Sequence, residues 1–441
     1  MSILVFVVGV VYALSLQLLM RPLTADGVHF HPWSSEDMMQ TVSIKLLRDQ
    51  PVQTLLNIHI QPPGFDAVRA VLALAWPGLS DTFVLRQVDR ALYLLGSLTL
   101  GLLVAVVYLW LAEYGARTAL IGSFLLLLHP ALIFFATFLD STLLSAFLVL
   151  CLYYLLWREK NRRRVSILAF SVVVLGLFFT RSIFQWPTLI LFAVSLHLFG
   201  TNRQRIAAYL LATCLVAGAY LAKQHVVFGL LSTSSFAGVS MTNSIGEGIG
   251  TARYASYLDD PGHATAAEPS MPLVLTSKTK LGGQPNFNHI DYLNLNSILL
   301  AKFQKEIRKA SIGELARSYL ENASIYFRPT STYSSGHVIV DHLPWTRFYG
   351  FIFSAPVLPL LLLVAFVVWC VRTIRSGRLR PGLGILLPGL YIMAASIFLD
   401  KGENMRFKLF LEPIMFVFIV SQCLAAARSC HARWMRPKRA H

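Results

Sequence analysis

Charge is what this sequence has least of. Only 14% of its 441 residues are Asp, Glu, Lys or Arg, 55% are hydrophobic, and the mean hydropathy is +0.59. Soluble domains carry roughly 25% charged residues, so the composition excludes an ordinary soluble protein and points to an all-α polytopic membrane protein. Cysteine is scarce too: Cys151, Cys214, Cys370, Cys423 and Cys430 fall in apolar runs or in the C-terminal tail, and no CxxC spacing occurs. Neither a disulfide framework nor a cysteine metal site is implied. Repeated halves and charges near the middle of apolar runs are also missing, and a transporter would be expected to show both.

What is abundant is long apolar sequence. Runs long enough to cross a bilayer, roughly 20 residues each, are read at 2–20, 91–112, 118–138, 141–157, 165–180, 184–199, 206–222, 349–371, 381–399 and 408–427. The first has no basic n-region and no small-x-small cleavage site, so we expect a retained span and not a signal peptide.

The formal charge of +16 does not require nucleic acid, because its placement follows the membrane. With the N-terminus in the cytoplasm, one side receives Arg117, the run Arg158 to Arg164, Arg203, Arg205, Arg372, Arg375, Arg378, Arg380 and the tail Arg428 to Arg439, opposed only by Glu113 and Glu159. That asymmetry is the positive-inside rule, and anionic lipids are the partner it suggests. We expect both termini in the cytoplasm of a bacterial inner membrane, with the working surface outside. The chain then divides into a membrane module 1–222 with a first outer loop 21–88, an outer segment 223–348, membrane helices 349–427 and a basic tail 428–441.

Three polar clusters share the outer side. In the first loop, Glu36-Asp37 opens a segment with Met38, Met39, Val42 and Leu46 at helical spacing. A second amphipathic segment follows Pro62-Pro63-Gly64, with Phe65, Val68, Val71, Leu72 and Trp76 on one face. Both read as helices on the membrane surface, and the acids as either functional groups or helix caps. The second cluster is Asp140, between the third and fourth spans. A carboxylate so near hydrocarbon is costly unless paired or working, or it caps the fourth span. Arg181 lies in the next turn on that side, where it either meets an anionic substrate or reaches lipid headgroups. The third is Asp400-Lys401-Gly402-Glu403-Asn404-Met405-Arg406 with Glu412-Pro413 one turn inside the last span, a set suited to a lipid-linked phosphate.

The outer segment is less informative. Ser232 to Gln284 is rich in Gly, Ser, Thr and Pro and reads as a long loop. Gly246-Glu247-Gly248-Ile249-Gly250 has no flanking strand and is weak as a phosphate cradle. Asp291 to Asn322 reads as helical. His337, Asp341 and His342 gather two imidazoles and an acid, with metal ligation less favoured than surface packing.

Together these motifs make the chain resemble the GT-C glycosyltransferases, the group that includes protein O-mannosyltransferases and the aminoarabinose transferase acting on lipid A. The resemblance covers the first seven spans and the last. It rests on Ser35-Glu36-Asp37, Gln61-Pro62-Pro63-Gly64-Phe65, Asp140, and Glu403-Asn404-Met405-Arg406-Phe407 with Pro413. It implies a GT-C-like bundle of about ten transmembrane helices, a polyprenyl-phosphate sugar as donor, and transfer at the outer face to an envelope glycan, lipid or protein. Members commonly carry His or Lys directly before the Pro-Pro turn. Here Gln61 stands there and the histidine is His59, so these two are the substrate-loop candidates.

The chemistry can be stated from the residues. A hydroxyl attacks the anomeric carbon, a carboxylate takes its proton, and cations stabilise the departing phosphate. Asp37 is the expected base with Glu36 its neighbour or substitute. Arg406, Lys401, Glu403 and Arg181 are the expected donor-phosphate group. Asp140 either orients the surroundings of Asp37 or shares with it a divalent cation, Mg or Mn. A single in-line displacement would invert the anomeric centre. The alternatives are an O-antigen polymerase or ligase, with the weight on Arg253, Arg328, His337 and His342, and, behind it, a lipid or solute transporter.

Overall fold

The computed structural model describes residues 1–25, 34–246, 248, 254, 256–259, 271–333, 348, 351, 357–377, 379–399, 401 and 404–434, and the structural statements below concern these. They are helical, with a single isolated bridge between Thr279 and Pro285. In chain order come α1 (Ser2–Ala25), α2 (Ile44–Asp49), α3 (Pro51–Leu56), α4 (Gly64–Leu74), α5 (Asp81–Leu111), α6 (Ala116–Leu127), α7 (Pro130–Thr137), α8 (Thr142–Lys160) and α9 (Ile167–Thr180). There follow α10 (Trp186–Leu198), α11 (Arg203–Phe228), α12 (Ala237–Ser244), α13 (Ile290–Lys309), α14 (Ile312–Tyr326), α15 (Val357–Arg375), α16 (Leu379–Leu399), α17 (Asn404–Lys408) and α18 (Glu412–Trp434).

Among the described residues, each apolar run contains a helix or, in one case, a helix pair. Length and composition qualify five for crossing a membrane: Asp81–Tyr114, α8, α11, α15 and α16. A sixth is made by α6 and α7 if they form one span bent by 59°. The remaining apolar helices, Ser2–Leu18, α9, α10 and Glu412–Ala427, are shorter. The bend has a local cause. Pro130 has no N–H to continue the α6 ladder but suits a first helical position, and the His129 side chain caps the new helix by accepting from the Ala131 amide at 3.2 Å. Close helix–helix packing uses small residues: a Cβ on Gly9 of α1 would stand 2.9 Å from the Gly101 Cα of α5.

The two ends of the bundle differ. At one end the basic runs meet their few acids: Arg163 pairs with Glu113, and Arg205 with Glu159 at 3.2 Å. At the other lie the first loop, Asp140, Arg181 and Arg406. There the loop departs from the amphipathic-helix expectation. Glu36-Asp37 does not start a helix; residues 35–37 form a turn and helix begins only at Ile44, because the Glu36 carboxylate folds forward to accept the Ile44 amide. The helix after the Pro-Pro turn does form, but its buried face carries Phe65, Asp66, Arg69, Ala70 and Ala73, with Val71 exposed.

That face is buried by chain from far downstream. Val42, Ile44, Ile58 and Phe65 share one apolar cluster with Val274, Phe287, Tyr292 and Leu295. The first loop and the segment 271–299 are thus one packed layer on the bundle. Within it, α12 arises from the stretch read as loop, and the helical reading of Asp291 to Asn322 holds apart from a break at Ala310, where Ser311 and Glu314 form a capping box for α14.

Candidate functional site

Asp140 stands in the short link between α7 and α8. Its Oδ1 accepts the Thr142 amide at 2.8 Å and its Oδ2 the Thr142 hydroxyl at 2.6 Å, so it caps α8. It is also paired. Arg181 Nη2 donates to Oδ2 at 2.6 Å, and Arg406 Nη1 approaches it at 3.4 Å. Both readings of Asp140, cap and paired carboxylate, are therefore realised in one side chain. Arg181 terminates α9, where a cation is favoured by the helix dipole. It donates further to Thr142 Oγ1 at 2.6 Å and, through Nη1, to Gln40 Oε1 at 2.9 Å. Arg406 comes from α17 and lies between the rings of Tyr333 and Phe407, 5.3 and 5.5 Å from their centres. Three distant parts of the chain and the first loop thus meet at one buried knot.

Beside the knot is a cavity of about 330 Å³. Arg181, Gln40, Gln61, Gln185, Ser232 and Tyr391 are among its polar lining residues, and Phe407, Leu399 and Met241 among its apolar ones. This is within the size range of small-molecule sites. Neither Asp37 nor Asp140 lines it; Gln40 and Arg181, their neighbour and partner, do. Asp140 instead borders a much smaller void with Phe65, Leu139 and Leu143.

The two adjacent acids of the first loop have different surroundings. Glu36 is 1% exposed; its oxygens accept the amides of Ile44 and Leu281, and Arg69 Nη2 at 3.2 Å. Arg69, fully buried, also donates to Asp66 Oδ1 at 2.6 Å and to the Val42 carbonyl at 2.7 Å. Burial pushes the Asp66 carboxyl up, and the Arg69 charge opposes that shift. Asp37, by contrast, is exposed, and its Oδ2 accepts the Ser34 amide at 3.0 Å to close the turn. The carboxylate that holds the loop and the one that faces solvent are consecutive residues.

A residue the sequence did not single out completes this loop. Lys280, buried at the start of a tight turn, sends Nζ to the carbonyls of Glu36 and Met38 at 3.0 and 2.6 Å and to Thr41 Oγ1 at 3.3 Å. Burial lowers its pKa to about 8. An ammonium whose folded pKa lies below its ordinary value of 10.5 is disfavoured in the folded state up to pH 8, and that penalty is relieved as pH rises toward the unfolded value. Wild type should therefore gain thermal stability relative to Lys280→Met between pH 8 and 10, with a constant difference below pH 8. Midpoints of both proteins measured in detergent across that range test it, and a flat difference would mean that Lys280 is not buried as a titrating amine.

The other candidates lie as follows. His59 is buried, with Nε2 donating to the Asn288 carbonyl at 3.0 Å and Nδ1 accepting from the Ser235 hydroxyl at 2.9 Å. Burial lowers its pKa to about 4, so it is a neutral clamp between the first loop and residues 235 and 288, set apart from the cavity that Gln61 reaches. Lys401 pairs with Glu321 at 3.0 Å near the surface, while Lys408 of the same segment is fully buried. Arg328 contributes its carbonyl to Lys408. Glu247, Ile249, Gly250, Arg253, His337, Asp341, His342, Asp400 and Glu403 lie outside the described residues. A divalent cation held by Asp140 fits poorly, because Oδ2 already receives two guanidiniums and a hydroxyl, and like charges that close would repel it. Among the described residues no three His, Cys, Asp or Glu side chains gather in a metal-ligand group.

The chain matches no protein family, no curated protein and no solved structure.

Proposed function

We propose that this chain is a membrane glycosyltransferase of GT-C-like architecture, its ten apolar segments all embedded in the bacterial inner membrane, its termini cytoplasmic and its site on the outer face. It moves a sugar from a polyprenyl-phosphate donor to a hydroxyl of an envelope glycan, lipid or protein. The observation that carries this reading is Arg181, a guanidinium held by Asp140 and Gln40 on the wall of a cavity lined by both polar and apolar side chains. A sugar phosphate joined to a hydrocarbon chain presents groups of both kinds.

In this reading Arg181 receives the donor phosphate, with Arg406 behind it, and Asp140 holds both guanidiniums in place. Gln40, Gln61 and Gln185 face the sugar hydroxyls, while Phe407 and Leu399 face the first isoprene units. The acceptor oxygen forms its bond to the anomeric carbon as the bond from that carbon to the phosphate oxygen breaks. The electron pair leaves with the phosphate, where the guanidinium stabilises it, and the acceptor's proton passes to Asp37. One displacement of this kind inverts the anomeric centre. No step passes through a metal. Lys401, drawn to Glu321, is left out of the phosphate group.

Donor titration with purified protein and a radiolabelled polyprenyl-phosphate sugar tests this. Loss of a charge-assisted contact should weaken donor binding by about tenfold or more in Arg181→Ala. Arg181→Lys should recover only part, since the planar fork is lost, and Lys401→Ala should bind as wild type. A folded Arg181→Ala protein that binds donor unchanged removes the reading.

A further inference from the structure

A second crevice opens toward the opposite end of the bundle, where its lining residue Lys160 lies about 27 Å along α8 from Thr142. It has a volume of about 120 Å³ and lies among α5, α8, α15, α16 and α18. Its walls are aromatic to an unusual degree: Trp110, Trp157 and Trp369 all line it, with Tyr114 and Tyr153. Space for two of these rings comes from glycine, since a Cβ on Gly382 would stand 2.5 Å from Trp369 and one on Gly389 2.5 Å from the Tyr153 hydroxyl. The rim is basic. Lys160 lines the crevice itself, and Arg372 donates to Gln422 Oε1, another lining residue, at 3.0 Å. Arg163 lies 5.3 Å over the Trp157 ring.

Tryptophan and tyrosine concentrate where a membrane's hydrocarbon meets its headgroups, and basic pockets between helices hold anionic lipid heads. We propose that this crevice binds an anionic phospholipid, with acyl chain against Trp110, Trp157 and Trp369 and phosphate at Lys160 and Arg372. Charge complementarity decides the occupant: an apolar shaft alone would take any lipid, whereas a rim with Lys and Arg selects a head of net negative charge. The site uses none of the residues assigned to donor or acceptor, so it stands whether or not the chain transfers sugars.

Three tryptophans in the wall supply the readout. Purified protein in mixed micelles is titrated with phospholipid brominated on its acyl chains, and tryptophan quenching is followed. Brominated phosphatidylglycerol should quench at about fivefold lower mole fraction than brominated phosphatidylcholine, the effect of roughly one cation acting on one headgroup charge. Lys160→Gln/Arg372→Gln should bring the two lipids together, and both positions are at the rim, where substitution leaves the fold intact. Soluble glycerol phosphate in excess should leave the quenching unchanged. Equal quenching by the two lipids in wild type, a preference that survives the double substitution, or displacement by glycerol phosphate would each overturn the proposal.

Discussion

Replacing Lys408 with Met is expected to destabilise the protein by about 3–5 kcal/mol, the cost of stranding one member of a buried ion pair. Lys408 Nζ donates to the Arg328 carbonyl at 2.6 Å and lies 3.5 Å from Glu412 Oε1. Glu412, 1% exposed, also accepts the Thr330 hydroxyl at 2.6 Å, and His129 Nε2 stands 3.6 Å from its other oxygen. The cluster ties the α6–α7 bend, the 328–333 segment, α17 and the start of α18 together, and Arg406 and Tyr333 belong to two of those parts. With Lys408 gone, the buried Glu412 carboxyl has no ammonium beside it. Adding Glu412→Gln to Lys408→Met should restore most of the loss, because the amide oxygen still accepts from Thr330 and no unpaired charge remains. Thermal midpoints of the two variants in detergent are the measurement. A Lys408→Met protein as stable as wild type, or a double variant worse than the single, would show that the pair does not carry its charges in the folded state.

Much of this arrangement is legible in the sequence. Hydropathy located the apolar helices because the membrane demands continuous runs, and charge placement grouped the basic turns at one end. Asp140 and Arg181 stood out because a charge beside hydrocarbon is expensive, and Glu412 because it lies inside a span. What stayed hidden was burial in the outer layer. Asp66 and Arg69, three apart on a short helix, carry no motif that singles them out, and they share its buried face with Phe65, Ala70 and Ala73. Lys280 sits in a Gly, Ser and Pro-rich stretch that gives no local sign of being inside. Its partners are the carbonyls of residues 36 and 38, and contacts across more than 240 positions leave no mark in periodicity. The acid pair was misjudged as a helix start for a related reason: its anchors, Arg69 and Leu281, are distant in sequence.

On the proposed transferase reading, Asp37→Asn should lower sugar transfer by about 100-fold or more, the scale of general-base removal, while donor binding and stability stay near wild type. The turn is kept because the Asn side-chain oxygen can accept the Ser34 amide as Asp37 does at 3.0 Å. Asp37 is three residues from Gln40, so their Cα atoms lie within about 11 Å by chain length alone, and Gln40 lines the cavity. The neighbouring acid supplies the control. Glu36→Gln leaves one acceptor where three donors converge and turns an amide toward an N–H, while Arg69 loses one of its two carboxylates. Stability should fall there by roughly 1–3 kcal/mol or more, the penalty for buried groups left without partners, with turnover per folded molecule reduced far less than in Asp37→Asn. Transfer and thermal midpoint measured on both variants separate the roles. If Asp37→Asn turned over at near wild-type rate while Arg181→Ala lost donor binding, the cavity would remain the donor site and the base would have to be sought outside the first loop; if both variants were merely unstable, the acid pair would be scaffold throughout.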